Sequence, residues 1–386
     1  MKDLWSIFKQ KFDRVKDLGY FGSANIIGSG ISGIFWFYLA SIISVEDFGE
    51  IHYFLGIAGI AYAVSLIATS STITVYAAKN VKIHSTLYLI SLTGGFLAFL
   101  VISVLFQRSD VGLLVFGYII YDLGIYYLLG KKLYSRFSKN VLIQKILTLA
   151  CGLGFYYFLG TEWIIYGLAL SYVHLAVIVY RVFKETKIDF SLLKSRGSFI
   201  TNNYFETMVN VIRQQTDKII IAPLLGFAIL GNYALAMQVL TILVLPIEIV
   251  YKFILPQYAS GTPNPRIKKM ALFMSFGITA FGITVLPLLI PYFFPEYTDA
   301  ITAVQILSVN AVTSMVGFFY IAKILSLEKS KYLLMGRIIS FATIIVGMVI
   351  LSKLFGITGA AIAFVLSSAA QTIFFIFAYE KIKRDG

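Results

Sequence analysis

Asn203, Glu206, Asn210, Arg213 and Asp217 recur at alternating spacings of three and four residues, the period of one face of a helix. Gln214, Gln215 and Lys218 widen this stripe. The segment that carries it, 199–225, is otherwise apolar and long enough to cross a bilayer. A charge at mid-bilayer costs about 2.5–3.5 kcal/mol on insertion scales, so four ionisable groups facing lipid would cost on the order of 10 kcal/mol. The stripe must therefore face protein or water. It fits the wall of a hydrated cavity that binds an anionic substrate or a coupling ion, with Arg213, Lys218, Asn210 and Gln214 as candidate contacts for the substrate and Asp217 and Glu206 as candidates for the ion. The plainer reading is a buried pair, because Arg213 and Asp217 stand at i and i+4 and can neutralise each other. Further polar residues in other apolar segments are candidates for the same cavity: Asp122, Lys145, Glu248, Lys252, Gln305, Asn310 and Arg337. Lys145, Lys252 and Arg337 lie toward segment ends, where long side chains can reach the membrane surface.

Nothing else in the chain is grouped for catalysis or metal binding. The single cysteine, Cys151, cannot form an intramolecular disulfide. His52, His84 and His174 are far apart in sequence, and no zinc-ligand spacing occurs. Gly28-Ser29-Gly30-Ile31-Ser32-Gly33 matches G-x-G-x-x-G, with Glu46 and Asp47 at about the right distance. That motif needs a preceding strand and a phosphate-binding helix N-terminus, and here it sits inside an apolar segment. The small residues suit close helix packing instead. The expectation is no enzyme and no cofactor.

The elements that must position these residues are all of one kind. Twelve apolar stretches lie at about 21–43, 48–72, 85–106, 111–130, 140–159, 163–180, 199–225, 229–255, 270–292, 300–322, 332–352 and 357–379, each near the roughly 20 residues that span a bilayer. Mean hydropathy is +0.84 and charged residues make up 13%, which excludes a soluble globular chain. Of 32 Lys and Arg, Arg108 and Lys353 fall in one set of alternate loops, five lie within the stretches, and the other 25 occupy the opposite loops and both termini. The positive-inside rule then puts both termini in the cytoplasm. It also accounts for the net charge of +13 without nucleic acid. Residues 1–19 lack the apolar core of a signal peptide. Leu4, Trp5, Phe8, Phe12, Val15 and Leu18 are spaced for an amphipathic helix leading into the first span.

The chain also matches itself. Shifted by 182 residues, Ala40 meets Ala222, Gly49 meets Gly231, Ile60 meets Ile242, Ile67 meets Ile249, and Tyr76-Ala77 meets Tyr258-Ala259. Two six-span lobes follow, 1–190 with the leading helix and 191–386, joined by the basic linker at about 181–198. An even number of spans per lobe makes the repeats parallel, with the transport path between them. All eight prolines, from Pro223 to Pro295, lie in the second half, and Pro246 and Pro287 are expected to kink their spans.

Phe21–Leu55, FGSANIIGSGISGIFWFYLASIISVEDFGEIHYFL, resembles the first two spans of Wzx-type polysaccharide flippases. QQTDKIIIAPLLGFAILGNYALAMQ at 214–238 is similar to their seventh and eighth spans, and GITGAAIAFVLSSAAQ at 356–371 to their twelfth. The resemblance implies the fold of the multidrug/oligosaccharidyl-lipid/polysaccharide (MOP) exporters: all-α, MATE-like, two six-helix lobes around a V-shaped cavity. It implies alternating access that moves a polyprenyl-diphosphate-linked oligosaccharide to the outer leaflet of the cell membrane. In that setting Arg213 and Lys218 would pair with the diphosphate, and Arg337 and Lys145 would stand nearer the cytoplasmic mouth. Asp217, Glu206 or Asp122 would couple transport to an ion. The partners implied are the bilayer, the lipid-linked oligosaccharide, and a polysaccharide polymerase or glycosyltransferases, for a protein acting as a monomer. The chain departs from relatives in two ways. Some flippases carry two further C-terminal spans, and lipid II flippases carry arginines in their first spans, where this chain has none. A multidrug cation antiporter is the alternative within the fold. A membrane-bound glycosyltransferase or polymerase is disfavoured by short extracytoplasmic loops.

The charge alternation generates a direct test. With Cys151 replaced by Ser, a Phe190→Cys variant should react with an impermeant thiol reagent only after the membrane is permeabilised. Labelling in intact cells would overturn the assigned orientation.

Overall fold

The computed structural model describes residues 2–262 and 264–385, with side chains described over 22–262 and 264–384. The amphipathic face read over Leu4, Trp5, Phe8, Phe12, Val15 and Leu18, and Pro263, lie outside the described residues and side chains. The described residues form helices and connections, with no strand. The α-helices of the first half are α1 (Lys2–Ile42), α2 (Val45–Ser65), α3 (Ser70–Ala78), α4 (His84–Leu105), α5 (Ser109–Gly130), α6 (Tyr134–Leu159), α7 (Ile164–Leu170), α8 (Ala176–Glu185) and α9 (Phe190–Ser195). Those of the second half are α10 (Gly197–Leu225), α11 (Phe227–Ala259), α12 (Pro265–Thr284), α13 (Leu286–Phe293), α14 (Ala300–Ser308), α15 (Asn310–Ser326) and α16 (Ser330–Asp385). Among the described residues, nine helical segments are long and apolar enough to cross a membrane, or ten if the bent pair α2–α3 is one span. The protein is therefore a multi-pass membrane protein.

Several stretches that read as single spans are broken, and each break keeps its backbone hydrogen-bonded, as a membrane interior requires. The stretch 48–72 bends by 44° between α2 and α3. At the bend the Ala68 amide donates to the Ser91 hydroxyl at 3.0 Å, and the Ser65 hydroxyl donates to the Gly94 carbonyl at 3.2 Å. Gly94 is needed for this approach, since a Cβ there would stand 3.0 Å from the Ser65 carbonyl oxygen. The stretch 163–180 is interrupted between α7 and α8. There the Ser171 hydroxyl donates to the Leu168 carbonyl at 2.6 Å and accepts from Thr148 at 3.2 Å. In α16 the chain turns at Gly356, whose φ of 57° is left-handed and suits a residue without Cβ. Pro246 lies inside α11, whereas Pro287 stands in the first turn of α13, just past the end of α12. Proline lacks an amide hydrogen, so that position wastes no helical bond.

The chain divides into two compact units. One holds Met1–Trp36 and Ile57–Ile212, the other Phe37–Gly56 and Arg213–Gly386. In the first, α5 is buried along much of its length, and the Tyr88 hydroxyl of α4 donates to the Leu123 carbonyl at 2.6 Å. Ile125, Leu128, Phe137, Val141 and Leu175 pack together there. In the second, α11 is central. Asn232 accepts from the Ala300 amide at 3.0 Å, and Leu240, Leu243, Val304 and Leu307 form part of its core.

The second unit also contains the turn of α1–α2 beside the turn of α10–α11. A Cβ on Gly49 would overlap the carbonyl oxygen of Phe227, and one on Gly231 would overlap that of Val45. Gly49 and Gly231, and likewise Val45 and Phe227, are 182 residues apart. The contact is thus reciprocal under the same shift that aligns the sequence with itself, which is the mark of a two-fold relation between the turns. Gly231→Ala should force α2 and α11 apart and cost about 1–3 kcal/mol. Scanning fluorimetry of the purified protein should show a lower midpoint, with Gly154→Ala, a site with nothing within 4 Å, unchanged or slightly raised. An unaltered Gly231→Ala midpoint would refute the tight crossing.

Candidate functional site

α10 is one continuous helix that carries the whole polar stripe, and it is the reason α10 is not among the strongly apolar helices. Its residues do not share one environment. Asn203, Glu206 and Asn210 precede Ile212 and belong to the first unit, whereas Arg213, Gln214, Gln215, Asp217 and Lys218 belong to the second. Glu206 and Gln214 are exposed, Asn210 and Arg213 half-buried, and Asp217 is 3% exposed.

The second unit gathers the strongest cluster of charges. The Asp217 carboxylate accepts the Lys218 backbone amide at 2.8 Å, and the Tyr233 hydroxyl of α11 faces it without reaching hydrogen-bond geometry. The Lys218 ammonium donates to Gln215 at 2.7 Å. Its stem lies against Gly56 of α2, with His52 near its charge. Arg213 does not close an ion pair with Asp217 within 4 Å, although the two charges act on each other, and its Nε is buried without a hydrogen-bond partner. The second charge acting on it is the like charge of Arg337 from α16. Arg213 thus feels the like charge of Arg337 and the opposite charge of Asp217, and Lys218 feels that of Asp217. A buried guanidinium whose Nε lacks a hydrogen-bond partner is matched by an anion with several oxygens.

Asp122 and Lys145 belong to the first unit. Asp122 is 9% exposed and accepts a hydrogen bond from the Tyr62 hydroxyl of α2 at 2.5 Å. Lys145 of α6 packs its stem on Gly28 of α1 at 3.4 Å, so the glycines of the first span serve packing. Glu248 and Lys252 are exposed, and Asn310 donates to Ser314 at 3.1 Å. No group of three or more His, Cys, Asp or Glu placed to hold a metal ion occurs among the described residues. Sequence reasoning did not single out Tyr62, Tyr233 or His52 as site residues. Tyr62 lies 60 residues from Asp122, and an isolated tyrosine in an apolar span carries no periodic signal.

A family model described as polysaccharide biosynthesis protein matches residues 121–293. No curated protein matches the chain. Among solved structures, an inward-facing multidrug resistance MATE family transporter of the MOP superfamily superposes with a TM-score of 0.69 at 14% identity, over 92% of this chain and 94% of that one. An outward-facing MATE family transporter of the same superfamily gives 0.62 at 17% identity, over 96% of each chain. A MATE transporter variant from Vibrio cholerae gives 0.55 at 15% identity, over 100% of this chain and 99% of that one. At these identities the likeness is one of fold, and the fold is that of the MATE transporters.

The geometry of the cluster sets a test of its construction. If Arg213 and Asp217 were only a buried pair, removing both charges would leave nothing stranded. With Arg213 facing Arg337 as well and no contact pair to Asp217, the Arg213→Leu/Asp217→Leu double variant should accumulate in the membrane and yet lose function. Normal function in that variant would sink the anion-site reading.

Proposed function

We propose that the chain is a membrane transporter that flips a polyprenyl-diphosphate-linked oligosaccharide from the inner to the outer leaflet of the cell membrane, for surface polysaccharide biosynthesis. The observation that carries this reading is the buried Nε of Arg213, which has no hydrogen-bond partner although the charges of Asp217 and Arg337 act on the guanidinium. A diphosphate offers both the charge and the oxygen geometry to match a guanidinium group. Asn210 and Gln214 of the same helix would add neutral donors, and Lys145 a cation toward the cytoplasmic mouth. The match of residues 121–293 to a polysaccharide biosynthesis family supports the cargo class, and the MATE fold supports transport by alternating access. The reading takes the protein as a transporter rather than an enzyme, coupled to Na+ or H+ through Asp217, Glu206 or Asp122.

The same proposal assigns twelve crossings, both termini in the cytoplasm, and lobes dividing near residue 190. Ten apolar spans become twelve when α16 counts as two helices about Gly356 and α10 counts despite its stripe. A 29-residue helix such as α10 exceeds the roughly 20 residues a bilayer needs. Multidrug extrusion, the activity named for a structural neighbour, would favour an acidic cluster for cationic drugs, opposite to the charge found here.

Deletion of the gene should cause a lipid-linked glycan to accumulate, and the wild-type chain should clear it. Arg213→Ala should lower the rate by roughly 10-fold or more, the scale of a lost charged hydrogen bond, at normal protein level. Arg213→Lys should recover part of the loss, since it keeps charge without the bidentate fork. Efflux of cationic dyes with no change in any glycan would replace this reading with drug extrusion.

A further inference from the structure

In the first unit, Asp122 sits near the middle of α5, among tyrosines. Its one hydrogen bond to a described residue comes from the Tyr62 hydroxyl, to Oδ2 at 2.5 Å. Tyr118 meets Tyr62 edge-on at 5.8 Å and Tyr172 at 5.7 Å, and Tyr121 meets Tyr172 at 5.8 Å. Tyr126, one turn along α5, completes the ring of phenols.

The groups facing this site from the packed helices leave the carboxylate without a counter-charge. From α4, Tyr88 is taken by the Leu123 carbonyl at 2.6 Å. From α8, Glu185 accepts from Tyr127 at 2.6 Å. Tyr76 of α3 lies under Arg196 at 5.4 Å. Lys145 of α6 has its stem on Gly28, and His174 bonds the Ser171 carbonyl at 3.1 Å. Among the described residues no Lys, Arg or His pairs with Asp122 within 4 Å.

An isolated buried carboxylate is costly to keep charged, and such a group takes up a proton instead. A metal ion would need further ligands, and among the described residues Asp122 belongs to no group of three or more His, Cys, Asp or Glu placed to hold one. We propose that Asp122 and Tyr62 form a proton-binding site: Asp122 takes one proton on the oxygen Tyr62 does not contact, while the Tyr62 hydroxyl donates to Oδ2 in both states. The bond is charge-assisted when Asp122 is ionised and weaker when it is neutral, so the proton sets how firmly α5 holds α2. That hold acts three residues before the end of α2, beside the bend into α3. α2 also contributes residues to both compact units. The coupling of this proton to transport rests on the transporter reading above, whereas the proton site itself does not.

Infrared difference spectra of the purified full-length protein in nanodiscs, taken between alkaline and acidic sodium-free buffer, test the site directly. The wild type should gain a protonated-carboxyl band on acidification. The band should be lost in Asp122→Asn, which keeps the acceptor for Tyr62, and shifted to higher frequency in Tyr62→Phe. A full band in Asp122→Asn, or an unshifted one in Tyr62→Phe, would overturn the site. Loss of the band when sodium chloride replaces choline chloride at fixed pH would overturn it in favour of a sodium site. In vesicles, Asp122→Asn should abolish the pH dependence of lipid-linked glycan flux, and retained pH dependence would overturn the coupling. A wild type with the expected band and no glycan flux would overturn the transporter reading and leave the proton site standing.

Discussion

Water is missing from most of the space this chain occupies, and every polar group has to be satisfied without it. That constraint explains why the described elements are helices and why the interruptions carry hydroxyls. At the α2–α3 bend, Ser91 takes the Ala68 amide, and the Thr69 hydroxyl lies 3.4 Å from the Thr72 amide as the cap of α3. At the α7–α8 break, Ser171 is held between Thr148, Gln144 and its own helix. At these two breaks, serine and threonine mark where the ladder of backbone bonds is cut and mended.

The same constraint sorts the charges. Those with stems long enough to reach the surface are tolerated singly, and those without such reach are placed beside other polar groups. In the second unit the outcome is a guanidinium, Arg213, whose buried Nε lacks a hydrogen-bond partner and which Asp217 tempers without pairing. In the first unit it is a lone carboxylate ringed by phenols. The two arrangements have opposite chemical needs. One is completed by an anion with several oxygens, the other by a proton. The proposed flipping of a charged lipid would use both.

Close approach of backbones supplies the rest of the architecture. Gly49 and Gly231 let α2 and α11 meet carbonyl to Cα, Gly94 admits Ser65, and in α16 a Cβ on Gly359 would overlap the Leu351 carbonyl oxygen. Between helices already in an apolar solvent, packing distance rather than hydrophobic drive decides association, so these glycines fix where helices cross. The crossing of α2 with α11 is also where residues related by the 182-residue shift meet in reciprocal contact.

Read alone, the sequence determined the class of element and the approximate spans, because hydropathy over about 20 residues is a local signal. It also located α10 as the polar helix, since a stripe at helical period survives without knowledge of neighbours. The bends at 65–69 and 171–175 stayed hidden, because the partners that complete them, Ser91 and Thr148, come from other helices. Partners were hidden for the same reason. Nothing in the order of residues ties Tyr62 to Asp122, or Arg337 to Arg213 more closely than Asp217 is tied. Pairing within one helix follows from spacing, whereas pairing between helices depends on which faces the packed glycines bring together, and that was decided only in three dimensions.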